Sequence, residues 1–160
     1  MAISVGDKIP DVKLMTPTSE GPKPVQSADA LGTGKVVLFA VPGAFTPTCS
    51  DYHLPGFVLR AGDLKAKGVD TIACVSVNDA FVMGAWGKEQ KADNKVRMMA
   101  DGSAVFTKAL GLEMDLTSRG MGVRSQRYAM VVDNGVVKAV NVEAPGKFEV
   151  SDADSVLKAL

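Results

Sequence analysis

The chain carries one thiol in a setting that favours nucleophilic chemistry. Cys49 closes a loop of residues 42–49, and the hydroxyl residue Thr46 lies three positions before it. The residues after Cys49 follow helical spacing, so the thiol is predicted to begin a helix. Unpaired backbone N–H groups and the positive end of the helix dipole meet there, and both favour the thiolate. Because the thiolate is the nucleophile, the pattern predicts a reactive cysteine rather than a structural one.

Two other side chains could take part in thiol chemistry. Cys74 lies in the middle of the apolar run 69–77, which favours a buried core thiol. His53 follows Cys49 by one helical turn and could act as a catalytic base, although helix geometry favours a contact with a neighbouring polar group. Two cysteines fit neither a disulfide scaffold nor a zinc motif, so no metal site is predicted.

A later arginine is a candidate partner for the thiol. Arg127 begins an apolar run in which Ala129 and Val131 share one strand face, and Arg119 and Arg124 lie close before it. An arginine aligned with an apolar face tends to place its guanidinium in a pocket at the end of the sheet, where it would stabilise an anion. From spacing alone, a solvated surface charge is an equally good interpretation.

The elements that must position these residues alternate along the chain. Apolar runs at residues 35–41, 69–77 and 96–100 predict strands separated by helices, and residues 126–133 and 136–143 predict a hairpin around Asn134-Gly135. Short edge strands are expected around residues 12–15 and 24–26. This order predicts a single α/β domain over residues 1–160, with a thioredoxin-like mixed sheet flanked by helices.

Composition narrows the class of protein. The formal net charge is zero, which argues against a nucleic-acid binder. No apolar run approaches the length of a membrane span, and the N-terminal residues show no signal-peptide pattern. We therefore expect a soluble cytoplasmic protein in a reducing compartment, with no membrane partner.

The spacing of three residues carries a family resemblance. Pro42, Thr46 and Cys49 match the pattern Pro-x-x-x-Thr/Ser-x-x-Cys of the peroxiredoxins, and the chain resembles their type II, or peroxiredoxin 5, subfamily. The similarity runs from about Ile3 to the C-terminus. The stretches that support it are residues 43–50, 53–57, 76–82, 86–87 and 127–132.

The resemblance implies a thiol peroxidase that needs no bound cofactor. Cys49 matches the peroxidatic cysteine, whose thiolate attacks H₂O₂ or an organic hydroperoxide and becomes a sulfenic acid. Thr46 matches a hydroxyl that hydrogen-bonds the thiolate and the peroxide. Arg127 matches the active-site arginine, and Pro42 matches the proline that shields the sulfur from water.

One departure from some relatives affects turnover. Residues 143–160 contain no resolving cysteine, so the resemblance implies a one-Cys enzyme that an external thiol regenerates. Glutathione, with or without glutaredoxin, and thioredoxin are the usual reductants in the family. A homodimer packed near the active-site loops is the common assembly, with Phe45 and Trp86 as expected interface aromatics.

Two other functions remain open from the sequence. A glutaredoxin-like thiol–disulfide oxidoreductase would use a Cys49 mixed disulfide without peroxide, but Thr46 and Pro42 would then lack a purpose. A non-enzymatic redox sensor could use the same fold and the same cysteine. Turnover of peroxide with an added thiol distinguishes the peroxidase from both alternatives.

Overall fold

A seven-stranded mixed sheet runs through the centre of the protein, as seen in a computed structural model that describes residues 2–160. The strands of both sheets, of which β6 and β7 form a separate small one, are β1 (Lys13–Thr16), β2 (Lys23–Gln26), β3 (Lys35–Ala40), β4 (Thr71–Ser76), β5 (Arg97–Ala100), β6 (Glu113–Leu116), β7 (Gly122–Ser125), β8 (Tyr128–Asp133) and β9 (Val136–Val142). The helices are α1 (Ser27–Leu31), α2 (Leu54–Ala66), α3 (Ala80–Glu89), α4 (Val105–Leu110) and α5 (Ala153–Ala159).

The strand order confirms the predicted thioredoxin-like architecture. The order in the sheet is β2-β1-β5-β4-β3-β8-β9. The three strands that alternate with helices, β3, β4 and β5, are parallel, while β8 and β9 form the antiparallel hairpin. Of the two expected edge strands, β2 lies at the edge of the sheet, whereas β1 lies inside it, paired with β2 on one side and β5 on the other. Every helix within residues 2–160 is too short or too polar to cross a bilayer.

Alternating side chains of the central strands build two cores, one on each face of the sheet. Val37 and Phe39 of β3 pack on the face covered by α2, α3 and α5, and Cys49 belongs to this core. Val36 and Leu38 point to the opposite face, which α1 and α4 cover. Strands buried on both faces read as continuous apolar runs, which is why β3 and β4 were recognisable in the sequence.

Local sequence features set several element boundaries, among them the predicted turn at Asn134-Gly135. Asp79 accepts a hydrogen bond from Val82 N–H and begins α3. Asn134 and Gly135 both have positive φ, as the tight turn between β8 and β9 requires. The Asp101 carboxylate accepts hydrogen bonds from Phe106 and Thr107 N–H, in the first turn of α4, which begins at residue 105.

The protein also contains a second, two-stranded sheet that the sequence did not predict. Strands β6 and β7 pair around a 3₁₀ turn, Thr117–Arg119. Both strands are only four residues long, and glycines at 120 and 122 have positive φ, so the segment shows no long periodic pattern. This small hairpin brings Arg124 toward the loop 42–49.

Candidate active site

Cys49 lies in the first turn of a helix, as predicted. Helical backbone begins at Pro47, and the main-chain bond from Ser50 N–H to the Thr46 carbonyl closes the first turn. Groups before Ser50, including the Cys49 N–H, therefore have no partner within the helix. The cysteine side chain itself is fully buried. The result is a thiol with no solvent contact and an N–H-rich backbone beside it.

The helix that carries Cys49 is wider than an α-helix at this point. Residues Cys49–His53 form a π-helical turn, in which Leu54 N–H donates to the Cys49 carbonyl, before α2 continues. Pro55 follows this turn by two residues and cannot donate an N–H to the helix. π turns of this kind are frequent at functional sites.

Arg127 contacts the sulfur of Cys49. Ala40, the last residue of β3, pairs with Tyr128, the first residue of β8, so the start of β8 lies beside the loop that follows β3. Arg127 precedes Tyr128, and its Nη2 donates to Cys49 Sγ at 3.1 Å. The other terminal nitrogen, Nη1, donates to His53 Nδ1 at 2.9 Å. Of the two interpretations of Arg127, the structure supports the pocket and not the solvated surface charge.

His53 is held between Arg127 and the main chain, as helix geometry favoured. Arginine can only donate, so Nδ1 of His53 accepts and the proton lies on Nε2, which donates to the Ser151 carbonyl at 2.9 Å. Burial, reinforced by the positive charge of Arg127, lowers the pKa of His53 to about 3. Because the Nδ1 lone pair is already bound, the geometry does not support His53 as a base for Cys49.

The loop before Cys49 is held by its own main chain and by a second arginine. Thr46 Oγ1 donates to the Gly43 carbonyl at 2.7 Å, so its single hydrogen is not directed at the thiolate. Arg124 Nη1 donates to the Pro42 carbonyl at 3.5 Å. A Cβ at Gly43 would lie 3.2 Å from that nitrogen and 3.1 Å from Thr46 Cγ2, so this close approach favours glycine. Arg119, the third arginine of the cluster, is exposed on the 3₁₀ turn.

The two aromatic residues expected at an interface behave differently. Phe45 has a positive φ and is 49% exposed. Trp86 was predicted to face a partner, but it is fully buried and its indole N–H donates to Ser50 Oγ at 3.0 Å. It therefore supports the residue next to Cys49 from inside the chain. Phe81, which is 74% exposed on the same helix, is the better candidate for a partner contact.

Cys74 is a core thiol, in agreement with its position in the sequence. It lies on β4 opposite Phe39 and is completely buried. Burial raises the pKa of the Cys74 thiol well above its usual value, and the nearby Cys49 adds to this while Arg127 opposes it. Both cysteines are free. A thiol held protonated in the sheet is poorly suited to attack an oxidised Cys49.

A C-terminal segment, which no sequence pattern indicated, completes the site. Glu143 is buried, and its carboxylate accepts hydrogen bonds from the N–H groups of Glu149, Val150 and Ser151 and from the Ser151 hydroxyl. The helix that follows, α5, is capped by Asp152, whose carboxylate accepts from Ser155 N–H. The only sequence signal was a glutamate directly after the strand β9.

Residues 2–160 contain no group of three or more His, Cys, Asp or Glu side chains placed to hold a metal ion. The chemistry that these residues can perform is that of a buried cysteine sulfur beside the positive charge of an arginine. Such a sulfur can attack a small electrophile, and the guanidinium and backbone N–H groups can stabilise negative charge as it moves away from the sulfur.

Comparison with known proteins assigns the family. The redoxin family model matches residues 4–157. The chain is 52% identical over 163 residues to Peroxiredoxin-2E, chloroplastic, of Arabidopsis thaliana, covering 99% of this chain and 70% of the relative. This chain belongs to the peroxiredoxins. Peroxiredoxins are thiol-dependent peroxidases that work without a prosthetic group, so the activity is the reduction of peroxide at the expense of a thiol.

Solved structures agree with this peroxiredoxin assignment. Reduced Prx3 in complex with H₂O₂, from Vibrio vulnificus, is similar with a TM-score of 0.94 and 58% identity, covering 98% of each chain. Peroxiredoxin 5 from Alvinella pompejana has a TM-score of 0.86 at 38% identity and covers 98% of this chain and 97% of its own. The likeness to peroxiredoxin 5 supports the subfamily that the sequence resembled.

Proposed function

We propose that Cys49 is the peroxidatic cysteine of this peroxiredoxin and that it reduces H₂O₂ and organic hydroperoxides. The Cys49 thiolate attacks one peroxide oxygen, the O–O bond breaks, and the sulfur becomes a sulfenic acid. The departing oxygen leaves with the electron pair and takes a proton to become water or an alcohol. The observation that carries this proposal is the 3.1 Å contact between Arg127 Nη2 and Cys49 Sγ.

Arg127 and the free backbone N–H of Cys49 stabilise the transition state in this proposal. Negative charge moves from sulfur to the leaving oxygen, and fixed donors along that path stabilise it more than they stabilise free peroxide. Arg127 is fixed because both of its terminal nitrogens are engaged, one by the sulfur and one by His53. The sulfur lies in a buried setting, where such electrostatic interactions are stronger than in water.

Thr46 and Pro42 shape the peroxide position. Because the Thr46 hydroxyl hydrogen is directed at the Gly43 carbonyl, its oxygen lone pairs are left to accept a hydrogen bond from a peroxide O–H. Pro42 begins the loop, and Arg124 holds its carbonyl. The proline ring contributes no N–H and shields the sulfur from water in this proposal.

We propose that an external thiol completes the cycle. One thiol condenses with the sulfenic acid to form a mixed disulfide and releases water. A second thiol then attacks the sulfur of the first thiol in that disulfide and releases Cys49 in its reduced form. Cys74 is the other cysteine in the chain, and it is buried in the sheet and protonated. Glutathione, glutathione with glutaredoxin, or thioredoxin would be the reductant. Because Cys49 is fully buried, the loop 42–49 or the π-helical turn must move to admit it.

The thiol chemistry bears on the location of the enzyme in the cell, and its exposed aromatic side chains bear on its oligomeric state. We propose a cytoplasmic location, where a thiol pool regenerates the sulfur and two unpaired cysteines stay reduced. We also propose a homodimer that packs near loop 42–49, where Phe45 and Phe81 are exposed. Peroxide, the thiol reductant and a second copy of the chain are then the partners, and the enzyme needs no cofactor.

A peroxide-consumption assay tests the proposal. Wild type, Cys49→Ser and Cys74→Ser are compared with glutathione, glutathione plus glutaredoxin, and thioredoxin as alternative reductants. We expect Cys49→Ser to abolish consumption and Cys74→Ser to keep most of it. A folded but inactive Cys74→Ser protein would reveal a resolving role for Cys74. Oxidation of Cys49 no faster than that of a free thiol, measured by stopped flow, would favour a thiol–disulfide oxidoreductase instead.

A further inference from the structure

We infer that Glu143 is a positioning residue for peroxide reduction: its carboxylate holds the segment 147–151 in place, and that segment fixes His53 and, through it, Arg127. This inference rests on the proposed function of Cys49 and Arg127. Glu143 touches neither the sulfur nor the place where peroxide would bind, so it acts only through other residues.

The carboxylate of Glu143 is the anchor of this segment. It is 6% exposed, and its Oε2 accepts hydrogen bonds from Val150 N–H at 2.9 Å, Ser151 N–H at 2.8 Å and Ser151 Oγ at 2.7 Å. Glu149 N–H reaches both carboxylate oxygens, at 3.0 and 2.9 Å. No cationic side chain within residues 2–160 forms a salt bridge with it. A buried carboxylate is thus satisfied almost entirely by main-chain donors of one short segment.

Glu143 remains ionised under the conditions in which a thiol peroxidase works. Burial favours the neutral acid, but the Ser151 hydroxyl and the three N–H groups outweigh it and lower the pKa of Glu143. Charge-assisted bonds of this kind are stronger than those between neutral groups. The segment is therefore held by a full negative charge rather than by loop packing alone.

The anchored segment contacts the site at two points. The Ser151 carbonyl accepts from His53 Nε2, which fixes the ring with its Nδ1 lone pair toward Arg127. The Phe148 ring lies 5.0 Å from the His53 ring, centre to centre, and its centre is 5.8 Å from Arg127 Cζ. Both contacts would be lost if Glu143 released the segment.

The rigid side chain of Arg127 links the position of His53 to the sulfur of Cys49. Its guanidinium is a planar fork, so fixing Nη1 on His53 also fixes Nη2 on Cys49 Sγ. Glu143 is linked to the same residue from the other side, because its own N–H donates to the Arg127 carbonyl at 2.9 Å. The side chain and the main chain of Glu143 therefore hold Arg127 along two routes.

The first test is the rate at which peroxide oxidises the reduced protein. In Glu143→Gln, an amide N–H₂ would face the donors of the segment, so the segment should loosen. We expect the rate constant for Cys49 oxidation to fall about 10- to 100-fold, the size expected when a reacting group is displaced by about 1 Å. Glu113→Gln, the same change at an exposed position on β6, serves as the control and should leave the rate unchanged. An unchanged rate in folded Glu143→Gln overturns the inference.

The second test measures the tautomer of the His53 ring. His53 is the only histidine in the chain, so ¹⁵N NMR of the imidazole reports on one residue. Wild type should show a neutral ring protonated at Nε2, and Glu143→Gln should show a mixture of tautomers. A tautomer that stays fixed at Nε2 in the variant contradicts the inference, because the carboxylate would then not control the Ser151–His53 contact.

A double-mutant cycle separates positioning from general stabilisation. His53→Leu removes both bonds of the ring, so Glu143→Gln should cost little further rate in that background. Rate losses that multiply instead show that Glu143 does not act through His53, and the inference fails. If Glu143→Gln does not fold, Ser151→Ala, which removes one bond to the carboxylate, should give a smaller loss of the same kind. Failure of these tests with Cys49-dependent turnover intact would leave the proposed function standing.

Discussion

At the scale of single residues, the site depends on arginine engaging two partners at once. Arg127 binds Cys49 Sγ with one terminal nitrogen and His53 Nδ1 with the other. A lysine at this position would carry the same charge but would lack the fork that fixes both contacts. The arrangement explains why one arginine of three in the cluster matters for the sulfur, while Arg119 remains exposed in solvent.

Replacement of Arg127 should therefore slow peroxide oxidation without unfolding the protein. In Arg127→Ala we expect the oxidation rate constant to fall about 100- to 1,000-fold, the usual cost of losing one donor to a developing oxyanion. Stopped-flow measurement of the reduced protein with H₂O₂ gives this constant. Arg119→Ala is the matched control, and an equal loss there would contradict the assignment of Arg127.

His53 should make the fold sensitive to mild acid. Its pKa is 6.5 in the unfolded chain and about 3 in the folded protein. Between these values the unfolded state binds the extra proton, so the free energy of unfolding falls as the pH falls. From pH 6.5 to 4.5 the loss should reach about 2–3 kcal/mol. Urea denaturation across this range measures it.

The comparison with His53→Leu isolates this contribution. The variant should be less stable overall, because Arg127 and the Ser151 carbonyl lose a partner. Its stability should nevertheless change less between pH 6.5 and 4.5. A slope as steep as that of wild type would mean that other groups cause the acid sensitivity.

At the scale of elements, the β8–β9 hairpin positions both Arg127 and its anchor, since Arg127 precedes β8 and Glu143 follows β9. Its turn demands positive φ at Asn134 and at Gly135, which has φ +83°. A side chain costs about 1–2 kcal/mol in that conformation. The turn sequence is thus a direct requirement of the strand pairing that builds the site.

Gly135→Ala should destabilise the protein by about 1–2 kcal/mol while the oxidation rate of the folded fraction stays unchanged. Gly62→Ala makes the same chemical change within α2, where a Cβ meets nothing within 4 Å. That variant should be more stable by roughly 0.5–1 kcal/mol, because alanine is the better helix former. Thermal unfolding measures both, and changes of equal sign would contradict the conformational argument.

The central elements were predictable because their signals are local. Buried strands such as β3 appear as apolar runs, and the turn at Asn134-Gly135 has a composition of its own. The Glu143 anchor was not predictable, because all but one of its donors are backbone N–H groups, which have no residue-specific signature. The burial of Trp86 also escaped prediction, since its Ser50 partner lies 36 residues away on another helix.

At the scale of the whole molecule, exposed apolar side chains indicate where a second copy would bind. Phe81 is 74% exposed, and Phe45 is 49% exposed with its ring centre 6.5 Å from that of Trp86. Both lie around α3 and the loop that leads to Cys49. Leu59, which is 79% exposed on α2, offers a separate apolar position.

A charge at Phe81 should dissociate the proposed homodimer. Burying one carboxylate in an apolar contact without a partner is costly, so Phe81→Glu should shift the protein toward monomer. Light scattering over a range of concentrations measures the change. Leu59→Glu provides the matched control and should leave the dimer intact; dissociation there alone would move the interface to α2.

The hydrogen bond from Glu143 N–H to the Arg127 carbonyl has a consequence for how the site must assemble. It joins the two residues that flank the β8–β9 hairpin. The register of that hairpin therefore determines whether Arg127, which contacts the sulfur, lies beside its anchor Glu143. The ladder contains a register shift at Val131 and Val132. A chain that paired β8 and β9 one residue out of step would turn alternate side chains to the wrong face and separate the two. Insertions or deletions within this hairpin should therefore abolish peroxidase activity even where the remaining sheet still folds.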